Sequence, residues 1–194
     1  MPSFPLPIET ALNAVGELLL AAGEHVSIVV VGGATMNLLG IVQRTTNDVD
    51  VIARAYRNQD GTMRLSPAEP FPESLQTAIR TVARDFGLPE TWMNAEVGAQ
   101  WGRGLPPWIL EEITWRSYGN LHVGLVGRRT LIALKLFAAV DTDPGSVHVQ
   151  DLLALAPTDA ELEEARGWVI TQDAYEGFTS MISQVIEHVR RKRP

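Results

Sequence analysis

The stretch from Ser27 to Ala53, SIVVVGGATMNLLGIVQRTTNDVDVIA, constrains the fold of this chain more than any other. Val26 to Val31 is β-branched and almost wholly apolar, which reads as a buried central strand. Gly32-Gly33 ends it, Ala34 to Leu39 reads as a short helix closed by Gly40, and Asp48 to Ala53 reads as a second strand. Side chains alternate across a strand, so Asp48 and Asp50 are expected on one face. Two carboxylates so close repel unless something positive sits between them. A divalent metal is the usual solution, because oxygen ligands suit magnesium. A glycine bend that opens a helix presents backbone N–H groups, and phosphate binds well there. A phosphate turn beside a metal-holding acid pair is the equipment of phosphoryl or nucleotidyl transfer. Taken singly, each feature has a plainer reading: a solvated strand end for the acids, a tight turn without ligand for the glycines.

The rest of the chain frames that stretch. Pro7 to Ala22 carries a helical stripe at Ile8, Leu12, Val15, Leu18, Leu19 and Ala22, with Gly23 as C-cap. Arg54 to Pro72, broken by Asn58, Gly61, Pro67, Pro70 and Pro72, reads as an irregular loop. Glu73 to Phe86 is an amphipathic helix stopped by Gly87-Leu88-Pro89, Thr91 to Asn94 begins a short element, and Gly102 to Pro107 is a break. Glu111 to Tyr118 and Leu121 to Val126 read as strands around the tight-turn pair Gly119-Asn120. Thr130 to Val140 is an apolar helix interrupted by Lys135. Val147 to Ala154, Asp159 to Ile170 and Asp173 to Arg191 read as further helices, with Pro157-Thr158-Asp159 as break and N-cap. This order predicts an α/β (α+β) fold: a small mixed sheet flanked by helices over residues 1–126, and a helical C-terminal subdomain over 127–194.

Composition narrows the chemistry. The 194 residues suffice for one well-buried domain with a small helical appendage. The absence of cysteine excludes disulfides, thiolate metal sites and cysteine nucleophiles. No segment has the apolar length of a membrane span, and MPSFPLPIET lacks a basic n-region, so a cytoplasmic protein is expected. A net charge of −7 argues against broad non-specific nucleic-acid binding. The local basic run Arg190-Arg191-Lys192-Arg193 reads as a solvated helix end suited to the helix dipole, or as a grip on RNA or an acidic partner. The histidines show no zinc spacing, and His122 and His148 read as structural. Trp92, Trp101, Trp108 and Trp115 read as packing residues, with base stacking as the alternative.

GGATMNLLG followed by Arg44-Thr45-Thr46-Asn47-Asp48-Val49-Asp50 resembles the signature of the nucleotidyltransferase superfamily: a glycine pair, a spacer, and Asp-x-Asp on the next strand. The Arg-x-Thr-x-Asp-x-Asp form is similar to that of a bacterial branch, which includes DUF6036-like proteins and the AbiEii-type toxins of type IV toxin–antitoxin pairs. GLPETWMN (Gly87 to Asn94), LIALKLFAA (Leu131 to Ala139) and the His148 to Leu153 segment also resemble that branch. The resemblance implies transfer of a nucleoside monophosphate from an NTP, with pyrophosphate leaving, through a site that can hold two Mg²⁺ ions. The acceptor would be RNA, a protein or a small molecule, and an antitoxin would be a partner. On that likeness Asp48 and Asp50 would bind Mg²⁺. Gly32 and Gly33, with the Thr35 hydroxyl, would hold the β- and γ-phosphates. Lys135 would reach a phosphate, Asp151 would position Lys135 or the acceptor, and Arg44 would clamp phosphate or brace its loop. By its place in the helix, Lys135 would otherwise simply snorkel to solvent.

One departure stands out. The superfamily usually adds a third carboxylate from a later strand, and Leu121 to Val126 carries none. His122 or Gly124 stands at the expected place, and Glu96, Glu111 and Glu112 lie nearby in sequence. The alternative to an enzyme is therefore a catalytically degenerate relative that binds a nucleotide or a partner.

Overall fold

The computed structural model describes residues 7–44, 46 and 48–193. It divides into two units: one runs through Gly102 and takes in Ile113–Val126, the other comprises Arg103–Glu112 and the chain from Gly127 onward.

The first unit is built on a six-stranded mixed sheet. Its strands are β1 (Val26–Val31), β2 (Val49–Arg57), β3 (Met63–Pro67), β4 (Met93–Asn94), β5 (Thr114–Tyr118) and β6 (Leu121–Leu125). The order is β3-β2-β1-β6-β5, with β4 on β2. β1 is central, antiparallel to β2 and parallel to β6. Helices α1 (Ile8–Ala21) and α3 (Glu73–Phe86) lay Leu12, Val15, Leu19, Leu75, Ile79 and Val82 against Ile28, Val30, Val49, Val51, Val123 and Leu125. Each such side chain contributes about 1.5–3 kcal/mol by leaving water. The short α2 (Gly32–Leu38) follows β1 directly. At the β5–β6 turn, the Asn120 N–H donates to the Gly16 carbonyl of α1, an approach that leaves no room for a Cβ on Gly16.

Two expectations fail here. The stretch from Arg54 is not all loop: β2 continues to Arg57 and a tight turn leads into β3. Asp60 closes that turn by accepting from the Thr62 N–H and hydroxyl. The hairpin was hidden because β3 is an edge strand of mixed polarity, and its terminal Pro67 sits where a missing N–H is tolerated. β2 also starts one residue later than expected, at Val49, so Asp48 precedes the strand. A bulge at Ile52 interrupts the pairing between Val51 and Ala53. The indole of Trp101 donates to the Ile52 carbonyl at 2.6 Å.

The second unit is helical: α5 (Arg128–Ala139), α6 (Val147–Leu155), α7 (Asp159–Val169) and α8 (Phe178–Lys192). The short α4 (Gln100–Arg103) lies at the unit boundary. Thr158 and Glu161 form a reciprocal capping box at the start of α7. Residues Arg103–Glu112, expected in the αβ core, group with the helices. Arg129 explains why: it stacks 4.9 Å over Trp108 and pairs with Glu111 at 2.8 Å and Glu164 at 2.6 Å. α8 begins at Phe178 rather than Asp173, whose carboxylate instead accepts from the Tyr175 N–H in a turn. In the basic run, Arg190 pairs with Asp159 and Glu163, and Arg193 with Asp159. Half of that run thus ties α8 to the start of α7. Among the described residues no helix is long and apolar enough to cross a membrane.

Candidate functional site

The site is assembled where β1 ends. Val31 is extended, and Gly32 then takes φ +72°, a left-handed conformation that side chains resist. A second constraint is steric: a Cβ on Gly32 would land on the Asp50 carboxylate. A Cβ on Gly33 would come within 3.0 Å of the Thr46 hydroxyl and 3.3 Å of the Arg44 guanidinium. The bend therefore carries a carboxylate against its first glycine and a cation against its second.

Local hydrogen bonds hold that arrangement. The Thr46 hydroxyl donates to the Asp48 carbonyl at 3.1 Å, fixing the entry into β2. The Asn37 carboxamide, from α2, donates to the Arg44 carbonyl at 3.0 Å. Asp48 and Asp50 are both half-buried. Thr45 and Asn47, two members of the motif, lie outside the described residues.

Register shows which way Asp50 faces. Val49 pairs with Met93 and Val51 with Val30, and all four belong to the core under α1 and α3. Asp50 pairs with Val31 on one side and Asn94 on the other, so its side chain points to the opposite face.

Several expected residues stand elsewhere. Thr35 is fully buried and its hydroxyl donates to the Val30 carbonyl at 2.7 Å. That proton braces the bend from inside and is spent there, so Thr35 is no surface phosphate ligand. His122 is opposite Ser27 on β1, roughly 13 Å along the strand from the row of Asp50. Its ring meets the Ser117 hydroxyl at 3.2 Å. Gly124 is opposite Val29 and lies beneath Ile113 and Trp115. The β6-side neighbour of Val31 is Val126, whose N–H donates to the Val30 carbonyl. Neither His122 nor Gly124 lies in the row of Val31 and Asp50. Glu111 and Glu112 are engaged with Arg129 in the second unit. Among the described residues, no group of three or more histidines, aspartates and glutamates is placed to hold a metal.

Lys135 and Asp151 belong to the second unit and meet at 2.7 Å, with side chains 9% and 2% exposed. Lys135 thus does not snorkel. The ion pair ties α5 to α6. Sequence reasoning overlooked Asn94 as a neighbour of Asp50, although GLPETWMN had been singled out. A two-residue strand has no periodicity to reveal it.

The Asp50 carboxylate beside a bend without Cβ atoms is of the ligand type magnesium takes, an ion commonly held by one or two carboxylates together with substrate phosphates.

No protein-family model matches the chain, and no curated protein matches it. Among solved structures it is similar to an antigenic nucleotidyltransferase-like protein from Paracoccidioides brasiliensis, at 13% identity and a TM-score of 0.44. The alignment covers 98% of this chain and 95% of that one. The functional reading rests on the bend and its acids alone.

Proposed function

We propose that the chain is a Mg²⁺-dependent nucleotidyltransferase-like protein that transfers an NMP from an NTP to an acceptor hydroxyl on RNA, protein or a small molecule. The observation that carries this reading is the seating of the Asp50 carboxylate against Gly32, with the Arg44 guanidinium against Gly33. Carboxylate, guanidinium and a bend free of Cβ atoms are what a metal-bound triphosphate needs on one surface.

In this reading the backbone N–H groups of the bend donate to phosphate oxygens, and Arg44 donates in a fork to a further pair. Asp48 and Asp50 hold the cation side of the substrate. A bound Mg²⁺ would neutralise charge that builds on the triphosphate. The acceptor hydroxyl oxygen bonds to the α-phosphorus as its proton passes to solvent water, the bond from that phosphorus to the bridging oxygen of the β-phosphate breaks, and pyrophosphate leaves with that oxygen. Thr46, Asn37 and Thr35 brace the bend and the entry into the acid strand. The resemblance of the Arg44 to Asp50 motif to toxins makes an antitoxin protein the expected restraint.

A second reading is a degenerate fold that binds nucleotide without turnover. It is favoured by the lack of any acid on the later strand β6, Leu121–Leu125. One experiment separates the two. Purified protein, Mg²⁺ and each α-³²P-labelled NTP are incubated with cellular RNA and protein, beside the Asp50→Ala variant. Label transfer that the variant loses supports the enzyme. Calorimetric nucleotide binding with no transfer supports the module. Neither binding nor transfer with any NTP ends both.

A further inference from the structure

We infer that the side-chain oxygen of Asn94 is a ligand of the cation face that Asp48 and Asp50 begin, in the place a third carboxylate would fill. This rests on the reading of the acid pair given above.

Asn94 is next to Asp50 by parallel pairing of β4 on β2. Residues paired in this way project to the same side of a sheet. The preceding pair, Val49 and Met93, sits in the core, which sends Asp50 and Asn94 together to the opposite face. On its other flank Asp50 has Val31, and beyond Val31 comes Val126, both apolar. Asn94 is therefore the polar side chain that the sheet sets beside Asp50.

β4 is short but firmly placed. Trp92 is fully buried, its indole donates to the Ile79 carbonyl at 3.1 Å, and its own carbonyl accepts from the Val49 N–H at 2.7 Å. Trp92 thus anchors the strand one turn of pleat from Asn94. The carboxamide itself is oriented. Its Oδ1 accepts from the Glu96 N–H at 3.0 Å, which identifies the oxygen, and its Nδ2 donates toward the Thr91 carbonyl at 3.4 Å. A carbonyl oxygen has two lone pairs, and the Glu96 bond uses one.

The chemistry differs from that of three acids. A carboxamide oxygen is a hard, neutral ligand for Mg²⁺ or Mn²⁺. Two carboxylates and one amide balance a divalent ion, where three carboxylates would overcompensate it. A site of this composition holds the bare ion weakly and takes it most tightly together with the anionic triphosphate.

Mn²⁺ is the probe, titrated into the full chain while free ion is counted by electron paramagnetic resonance, with thermal melts confirming that each variant folds. Asn94→Ser keeps an oxygen able to cap the turn at Glu96 but withdraws it from the cation, and should weaken Mn²⁺ binding by roughly tenfold. Asn94→Asp keeps both cap and reach and should tighten binding. If Asn94→Ser binds Mn²⁺ as the parent does while Asp50→Asn has lost it, Asn94 only caps the turn and the inference is overturned. If Asp50→Asn itself binds as the parent does, the acid pair is no cation site and the proposed function falls with it. Should Asn94→Ser fail to fold, Asn94→Asp decides: unchanged affinity overturns the assignment, tighter binding supports it.

Discussion

The helical unit and the diglycine bend of the sheet unit set their charges in different surroundings. In the helical unit, carboxylates are spent on cations of neighbouring helices: Glu161 on Arg128, Glu164 on Arg129, Asp159 on Arg190 and Arg193, and Asp151 on Lys135. These pairs cross-link elements and add little beyond fixing how helices meet. In the sheet unit, Asp50 and Arg44 are pressed against consecutive glycines, where any larger residue would displace them. Packing a carboxylate against a bare Cα does nothing for helix docking. On the proposed function, the charge near glycine belongs to a ligand surface and the charge between helices to the scaffold.

The sharpest way to break that contrast is Lys135→Met. It removes the cation beside the Asp151 carboxylate, whose side chain is 2% exposed, and should cost about 3–5 kcal/mol, read as a large drop in urea midpoint. The double variant Lys135→Met, Asp151→Leu should recover most of it. A single variant that melts normally yet no longer binds Mg-NTP would reverse the assignment and return Lys135 to substrate chemistry. Next in size is Gly32→Ala, where positive φ and collision with Asp50 act together, about 1–3 kcal/mol, with loss of Mn²⁺ binding. Gly23→Ala is the control: Gly23 has φ +70° but open space around its Cα, so the variant should lose a little stability and no Mn²⁺ affinity. Equal metal affinity in both variants would mean that the Asp50 contact is incidental.

What could be read from sequence divides along the same physical line. β1, β6, α1, α3 and the helices of the second unit carry strong apolar runs or periods, and they lie where expected to within a few residues. The diglycine bend was legible because it is local in sequence. Register was not, because it is set by partners far along the chain. Without it His122 looked like the third-ligand position, although the sheet puts it at the wrong end of β6. The partner of Asp50 was likewise invisible: Asn94 meets it only because Trp92, anchored in the core, places a two-residue strand there. Thr35 looked like a phosphate ligand because a hydroxyl after two glycines so often is one. Here the chain turns it inward onto Val30.

The smallest effect expected tests the scaffold half of the contrast through pH. Arg128 holds the Glu161 carboxyl at about 2, well below its ordinary value of 4.5, chiefly by the hydrogen bond between them, with the capping contacts of Thr158 adding to it. A carboxyl depressed on folding binds more protons when unfolded. Its stabilisation is thus complete above pH 4.5 and is lost as pH falls toward 2. The side chains of Arg128 and Glu161 are 44% and 23% exposed, so solvent screens the pair and its worth is about 1 kcal/mol. Arg128→Ala should lower the melting temperature by a few degrees at neutral pH. It should also flatten the loss of stability between pH 4.5 and 2, because Glu161 then titrates nearer its ordinary value in both states. Mn²⁺ affinity should stay as in the parent. A variant that keeps the parent's acid slope would show that other carboxylates govern the acid limb. One that loses Mn²⁺ binding would show that charge in the helical unit serves more than the scaffold.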